Sequence, residues 1–173
     1  MNSTDVLADA FGRIPDLLAR ALDGLDGEDG HAVLTRRVDP AANTLAWLAW
    51  HTGREQDAQL AALAGTPEVW VSDGWAARAA LPFPDSEMGY GHTAEQVALV
   101  DVPVDLLLGY ADAVHRAART YLDLLTDEDL DVVVDDSWDP PVTLGVRLVS
   151  VVGDALEHAG QAAFLRGVLD RTA

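Results

Sequence analysis

Between Val104 and Leu125 apolar residues recur at steps of three and four for six steps without a break: Val104, Leu107, Ala111, Val114, Ala118, Tyr121 and Leu125. A stripe of that period specifies an α-helix with one buried face, and a buried face needs other helices to cover it. Three further segments supply them. Leu7, Phe11, Ile14, Leu18, Ala21 and Leu25 keep the same rhythm and predict a helix over Val6 to Leu25, with Pro15 kinking it or breaking its first turn. Asp39-Pro40 reads as a cap followed by proline in the first helical position, and Gly65-Thr66-Pro67 as a stop, so a second helix is expected over Pro40 to Ala64. The last begins at Thr143, a capping residue, and runs past Leu169. The reading is an all-α four-helix bundle.

The connections qualify that picture. Gly24 to Gly30 reads as a loop, but Thr66 to Asp101 carries Trp70, Trp75, Phe83 and Tyr90, too aromatic for a plain linker, and is expected to fold over one end of the bundle. Leu130 to Pro141, with Val132, Val133 and Val134 before its Asp and Pro cluster, suits a short extended piece or hairpin. Two long connections imply crossovers, not simple up-and-down topology. At 173 residues and 49% hydrophobic, the chain is expected to form one domain, residues 1–173, with a real core. Its 29 acidic against 11 basic residues, a formal charge of −18, argue against nucleic acid and anionic membrane as partners. There is no Cys, hence no disulfide framework, thiolate ligand or cysteine nucleophile. No leader pattern or long uncharged apolar run is evident, so a cytoplasmic location is expected.

The last helix holds the candidate chemistry. Read at alternating steps of four and three, one stripe runs Arg147, Val151, Asp154, His158, Gln161 and Leu165, placing polar groups where an amphipathic helix would bury its seam. A buried carboxylate or imidazole without a partner costs several kcal/mol, so these groups need one. Asp154 and His158 are one turn apart and can converge on a metal ion, with His51 of the second helix as a third ligand. The centre would be mononuclear, because the paired Glu-x-x-His motifs of di-iron bundles are absent. Asp154 and His158 can equally hydrogen-bond each other directly, and His51 can donate to a carbonyl as a core histidine. His31, His92 and His115 are expected to be surface groups or to make local hydrogen bonds.

Asn43 to His51, with its Trp47-x-x-x-His51 spacing, the Gly89-Tyr90-Gly91-His92-Thr93 loop, Trp138 to Thr143, Gly145 to Ser150, and Glu157-His158-Ala159-Gly160-Gln161 together resemble the DinB-like superfamily. Within it the chain is similar to the actinobacterial branch of mycothiol-dependent maleylpyruvate isomerases. The resemblance implies a bundle of up-down-down-up order and one divalent ion held by His51, position 154 and His158, zinc foremost, with nickel, manganese or iron as alternatives. Asp154 departs from the commoner His at its position and would lower the net charge of the centre. The implied activity is that of a transferase or isomerase whose metal activates a small-molecule thiol such as mycothiol for attack on an electrophile. Arg147 would receive an anionic substrate group and Gln161 would orient a ligand or water. Trp47, Trp75 and Tyr90 would wall the pocket, and Glu55 would serve as general base or reserve ligand. Homodimerisation is also implied. The alternative is a non-catalytic or regulatory bundle; a closed ion site would favour it, and a solvent-connected cleft would favour the enzyme.

Overall fold

The computed structural model describes residues 2–172. Along the chain lie α1 (Ser3–Ala21), α2 (Gly27–Leu34), α3 (Leu45–Ala64), three short helices α4 (Val69–Ser72), α5 (Trp75–Ala79) and α6 (Ala94–Ala98), then α7 (Val104–Leu122) and α8 (Leu144–Arg171). Before α8, β1 (Val133–Asp135) and β2 (Val142–Thr143) pair antiparallel in the hairpin that the valine run suggested. Among the described residues no helix is long and apolar enough to cross a membrane.

The four long helices form the bundle: α1 and α3 each pack against both α7 and α8. Their directions follow from which ends meet. The Ser3 amide at the start of α1 donates to Asp127 just past α7 (2.9 Å), so α1 and α7 run oppositely. Arg166 near the end of α8 donates to the carbonyls of Ala21 (3.2 Å) and Asp23 (2.8 Å), so α8 runs with α1. Early in α3 His51 meets His158, whereas later in α3 Gln59 shares a cleft with Ser150, so α3 and α8 are antiparallel. Asp57 meets Tyr110 and Leu63 meets Tyr121, which makes α3 and α7 parallel. The order is up, down, down, up.

Several boundaries differ from the sequence reading. α1 runs unbroken through Pro15 and stops at Ala21, with Leu25 buried beyond its end. The expected loop at Gly24 to Gly30 instead leads into α2, which starts at Gly27. α3 starts at Leu45, not Pro40, because Thr44 is the residue that caps it, its hydroxyl accepting the Trp47 amide (3.1 Å). Asp39 closes a local turn instead, accepting the amide of Ala41 (2.8 Å). The largest correction concerns α8. Its buried seam is Leu144, Leu148, Val151, Val152, Ala155, Ala159, Ala162, Leu165 and Leu169, so Arg147, Asp154, His158 and Gln161 flank the core instead of lying in it. Alanines at 155, 159 and 162 carry little hydrophobic signal, yet their small size lets α8 pack closely on its neighbours.

Candidate functional site

A solvent-connected cleft of about 330 Å³ lies between α3 and α8, lined from α3 by Trp47, His51, Glu55 and Gln59, from α8 by Ser150, Asp154 and His158, and also by Gly89, Tyr90 and Gly91. The spacing explains the convergence. His51, Glu55 and Gln59 are successive turns of one helix face, and Ser150, Asp154 and His158 are the same on the antiparallel helix, so each rung of one face meets a rung of the other.

His51 is fixed from three sides. Its ring stacks on Trp47, centroids 4.4 Å apart, and meets His158 edge-on at 4.7 Å. Its Nδ1 lies 2.5 Å from the carbonyl oxygen of Met88. A carbonyl only accepts, so Nδ1 carries the proton and Nε2 keeps its lone pair. Burial, the largest influence, pushes His51 below the usual histidine range, against the opposite pull of the Met88 hydrogen bond. His158 is arranged alike, with Nδ1 3.2 Å from Gln161 Oε1 and Nε2 3.7 Å from Asp154 Oδ1. That separation exceeds a hydrogen bond, and it is close to the ~3.4 Å between two donors on one tetrahedral ion with bonds of about 2.1 Å. Two imidazoles with free Nε2 atoms and a neighbouring carboxylate are a donor set suited to a borderline divalent cation. Among the described residues no three or more His, Cys, Asp or Glu side chains are placed close enough together to hold a metal ion as they stand. The groups border an open cleft, and the Asp154 side chain is 43% exposed.

Glu55 is half-buried in the same cleft, accepts from Gln59 Nε2 (3.0 Å), and has its carboxyl raised above the ordinary range, first by burial and further by the negative charge of Asp154. Two expected residues lie elsewhere. Trp75 packs against Tyr110, with the Arg78 guanidinium 3.5 Å over its ring. Arg147 pairs with Asp135 of the hairpin (3.0 Å) and does not line the cleft.

The Met88 carbonyl is held in place by Gly89, Glu87 and Arg54, whose roles here the sequence alone does not reveal. Gly89 adopts φ +98°, and a Cβ there would come within 2.9 Å of Trp50 Cζ3 and 3.0 Å of His51 Nδ1. Only glycine lets the loop approach so closely. Glu87 Oε1 accepts the amides of Met88 and Gly89 (both 3.1 Å), which hold its carboxyl below the usual range. Arg54, buried in α3, donates to the carbonyls of Glu87 (3.0 Å) and Asp85 (3.1 Å), to Glu68 (2.7 Å) and to the Tyr110 hydroxyl (3.3 Å). Asp57 lies 3.6 Å from Arg54 and accepts from the Val69 and Trp70 amides and from Tyr110. An arginine and an aspartate three apart on a helix carry no specific sequence signal, so this network was invisible beforehand. His92 is also not a surface group: its side chain is 2% exposed, and its Nδ1 accepts the Trp47 indole N–H (3.2 Å). His31 lies at the surface, as expected, though its partner there, Asp101 (2.6 Å), is 70 residues away in the chain.

Helix order, directions and the cleft between α3 and α8 define a DinB-like four-helix bundle. The match to a family profile over residues 6–171 makes the chain a member of the mycothiol-S-transferase family. It is similar to a solved structure described as the conserved protein of locus from Enterococcus faecalis, with 34% identity, a TM-score of 0.88 and 98% of each chain covered. No match was found among curated proteins.

Proposed function

We propose that this protein is a metal-dependent S-transferase that joins a mycothiol-type thiol to an electrophile in the cleft between α3 and α8, with His51, Asp154 and His158 holding one divalent ion. The observation that carries the reading is the matched state of the two imidazoles, each with Nδ1 committed to an oxygen acceptor and Nε2 free. Gln161 and the Met88 carbonyl then act as the partners that fix ligand tautomer and ring orientation. A divalent cation bound there supplies Lewis acidity, which lowers the pKa of a thiol or water. The chain itself provides the proton acceptor. The raised carboxyl of Glu55 takes the thiol proton; the sulfur lone pair forms the new C–S bond; the leaving group departs with its bonding pair and recovers the proton from Glu55. Trp47 walls the floor beside His51, and Tyr90, 87% exposed, stands at the mouth. Access to solvent supports a working centre over a closed structural one.

The test is the metal content of protein purified without chelator. Wild type is expected to hold close to one divalent ion per chain, His51→Ala, His158→Ala and Asp154→Ala to lose most of it, and Asp154→His to retain it. A metal-free wild type whose melting temperature does not respond to added zinc or nickel would overturn the proposal.

A further inference from the structure

The side of the cleft that faces a co-substrate has no positive charge to offer. The side chains in it that can carry charge near neutral pH are two imidazoles and two carboxylates, Glu55 and Asp154. The chain contains no Lys, and none of its 11 Arg lines this cleft. The two nearest by sequence to its walls are occupied: Arg54 is buried on Glu68, Tyr110 and two loop carbonyls, and Arg147 is paired with Asp135. Even with a divalent ion in place, two carboxylates bring the formal charge of the cleft to zero before any thiolate forms. Glu55 already feels a second negative charge, since Asp154 adds to the effect of burial in raising its carboxyl. A carboxylate, phosphate or sulfonate on an incoming molecule would find like charges and no bidentate cation to receive it. The remaining polar groups, Gln59, Ser150 and Tyr90, are neutral hydrogen-bonding partners suited to hydroxyls and amides.

From this we infer that the cleft admits uncharged or cationic co-substrates and rejects anionic ones, with Glu55 as the residue that sets the selectivity. The inference rests on the cleft being the thiol and electrophile site proposed above. It reverses the expectation placed on Arg147, because the one cation near the start of the α8 stripe is spent on the hairpin.

The experiment is equilibrium binding by calorimetry of three thiols of similar size to the full-length, zinc-loaded protein: 2-mercaptoethanol, cysteamine and 2-mercaptoethanesulfonate, whose sulfonate is a poor metal ligand. Work at about 0.5 M NaCl suppresses the long-range field of the acidic surface, so that only charges within the cleft discriminate. Wild type is expected to bind the sulfonate at least about tenfold more weakly than the neutral thiol, with cysteamine no weaker than the neutral one. Glu55→Gln should shrink the neutral-to-anionic ratio to less than about threefold, and Glu55→Asp should preserve it. Equal binding of neutral and anionic thiols by wild type overturns the selectivity while leaving the transferase reading intact. A ratio unchanged in Glu55→Gln overturns the assignment to Glu55. Failure of all three thiols to bind overturns the transferase reading and this inference with it.

Discussion

At the scale of single residues, the site depends on a backbone carbonyl brought against an imidazole, and Gly89 is what allows the approach. Gly89→Ala places a Cβ at φ +98° against Trp50 and His51, so about 1–3 kcal/mol of stability should be lost, together with affinity for zinc as Met88 is pushed from His51 Nδ1. Denaturant titration and a zinc-binding isotherm test both; unchanged values would show that the loop relaxes at no cost. His51 adds a pH dependence whose sign is fixed. Its folded pKa lies below the ordinary 6.5, so the unfolded chain binds the proton more readily. That contribution to stability is full above about pH 6.5 and is lost as pH falls toward the lowered folded value. His51→Gln should flatten the corresponding part of the stability profile measured without metal. The sequence exposed His51, Asp154 and His158 because polar groups at helical spacing stand out in apolar surroundings. It singled out the Gly89 loop but not what Gly89, Glu87 or Arg54 do, because their roles depend on where a loop returns, not on local pattern.

At the scale of elements, the helices were legible wherever side chains with strong hydrophobic signal repeat, as in α1 and α7. Their starts were less so. Asp39-Pro40 and Thr44 are both respectable caps, and only the backbone beyond them decides which one opens α3. Thr44→Ala should therefore cost about 1 kcal/mol, while Asp39→Ala, which removes only a turn contact, should cost less; urea denaturation of the pair distinguishes them. The contact of α3 with α7 was likewise unreadable. It uses Gly53, where a Cβ would lie 2.7 Å from the Tyr110 ring, and the Asp57 carboxylate buried beneath. Burial raises that carboxyl, while the amides of Trp70 and Val69 and the Tyr110 hydroxyl stabilise its charged form. Asp57→Ala leaves those three donors buried without their acceptor and removes one of the two carboxylates beside Arg54, so a loss of about 3–5 kcal/mol is expected, read as a fall in melting temperature of roughly 10 °C. A shift of only one or two degrees would mean that water replaces the carboxylate without penalty.

At the scale of the whole molecule, the acidic excess is what the fold leaves unresolved. Four of the eight arginines on the long helices pair with a carboxylate one turn away, Arg13 with Asp9, Arg116 with Asp112, Arg119 with Asp123 and Arg166 with Asp170, so each neutralises a particular neighbour and the acidic excess stays in place. With a formal charge of −18, self-repulsion of the compact state outweighs the few tenths of a kcal/mol that each exposed pair contributes. Salt screens both, but the excess is one-signed and of longer range, so repulsion loses more. The homodimer implied by the resemblance would press two such surfaces together, and any interface has to overcome that repulsion. Raising NaCl from about 10 mM, where the screening length is roughly 30 Å, to about 150 mM, where it is roughly 8 Å, should therefore raise the melting temperature and strengthen self-association together. Sedimentation equilibrium at the two concentrations tests the second half: a mass near twice 18.4 kDa, held more tightly at the higher salt, is the expected outcome. A species of 18.4 kDa at both salts refutes the dimer, and a dimer that weakens with salt would place complementary charges, not apolar helix faces, at its interface.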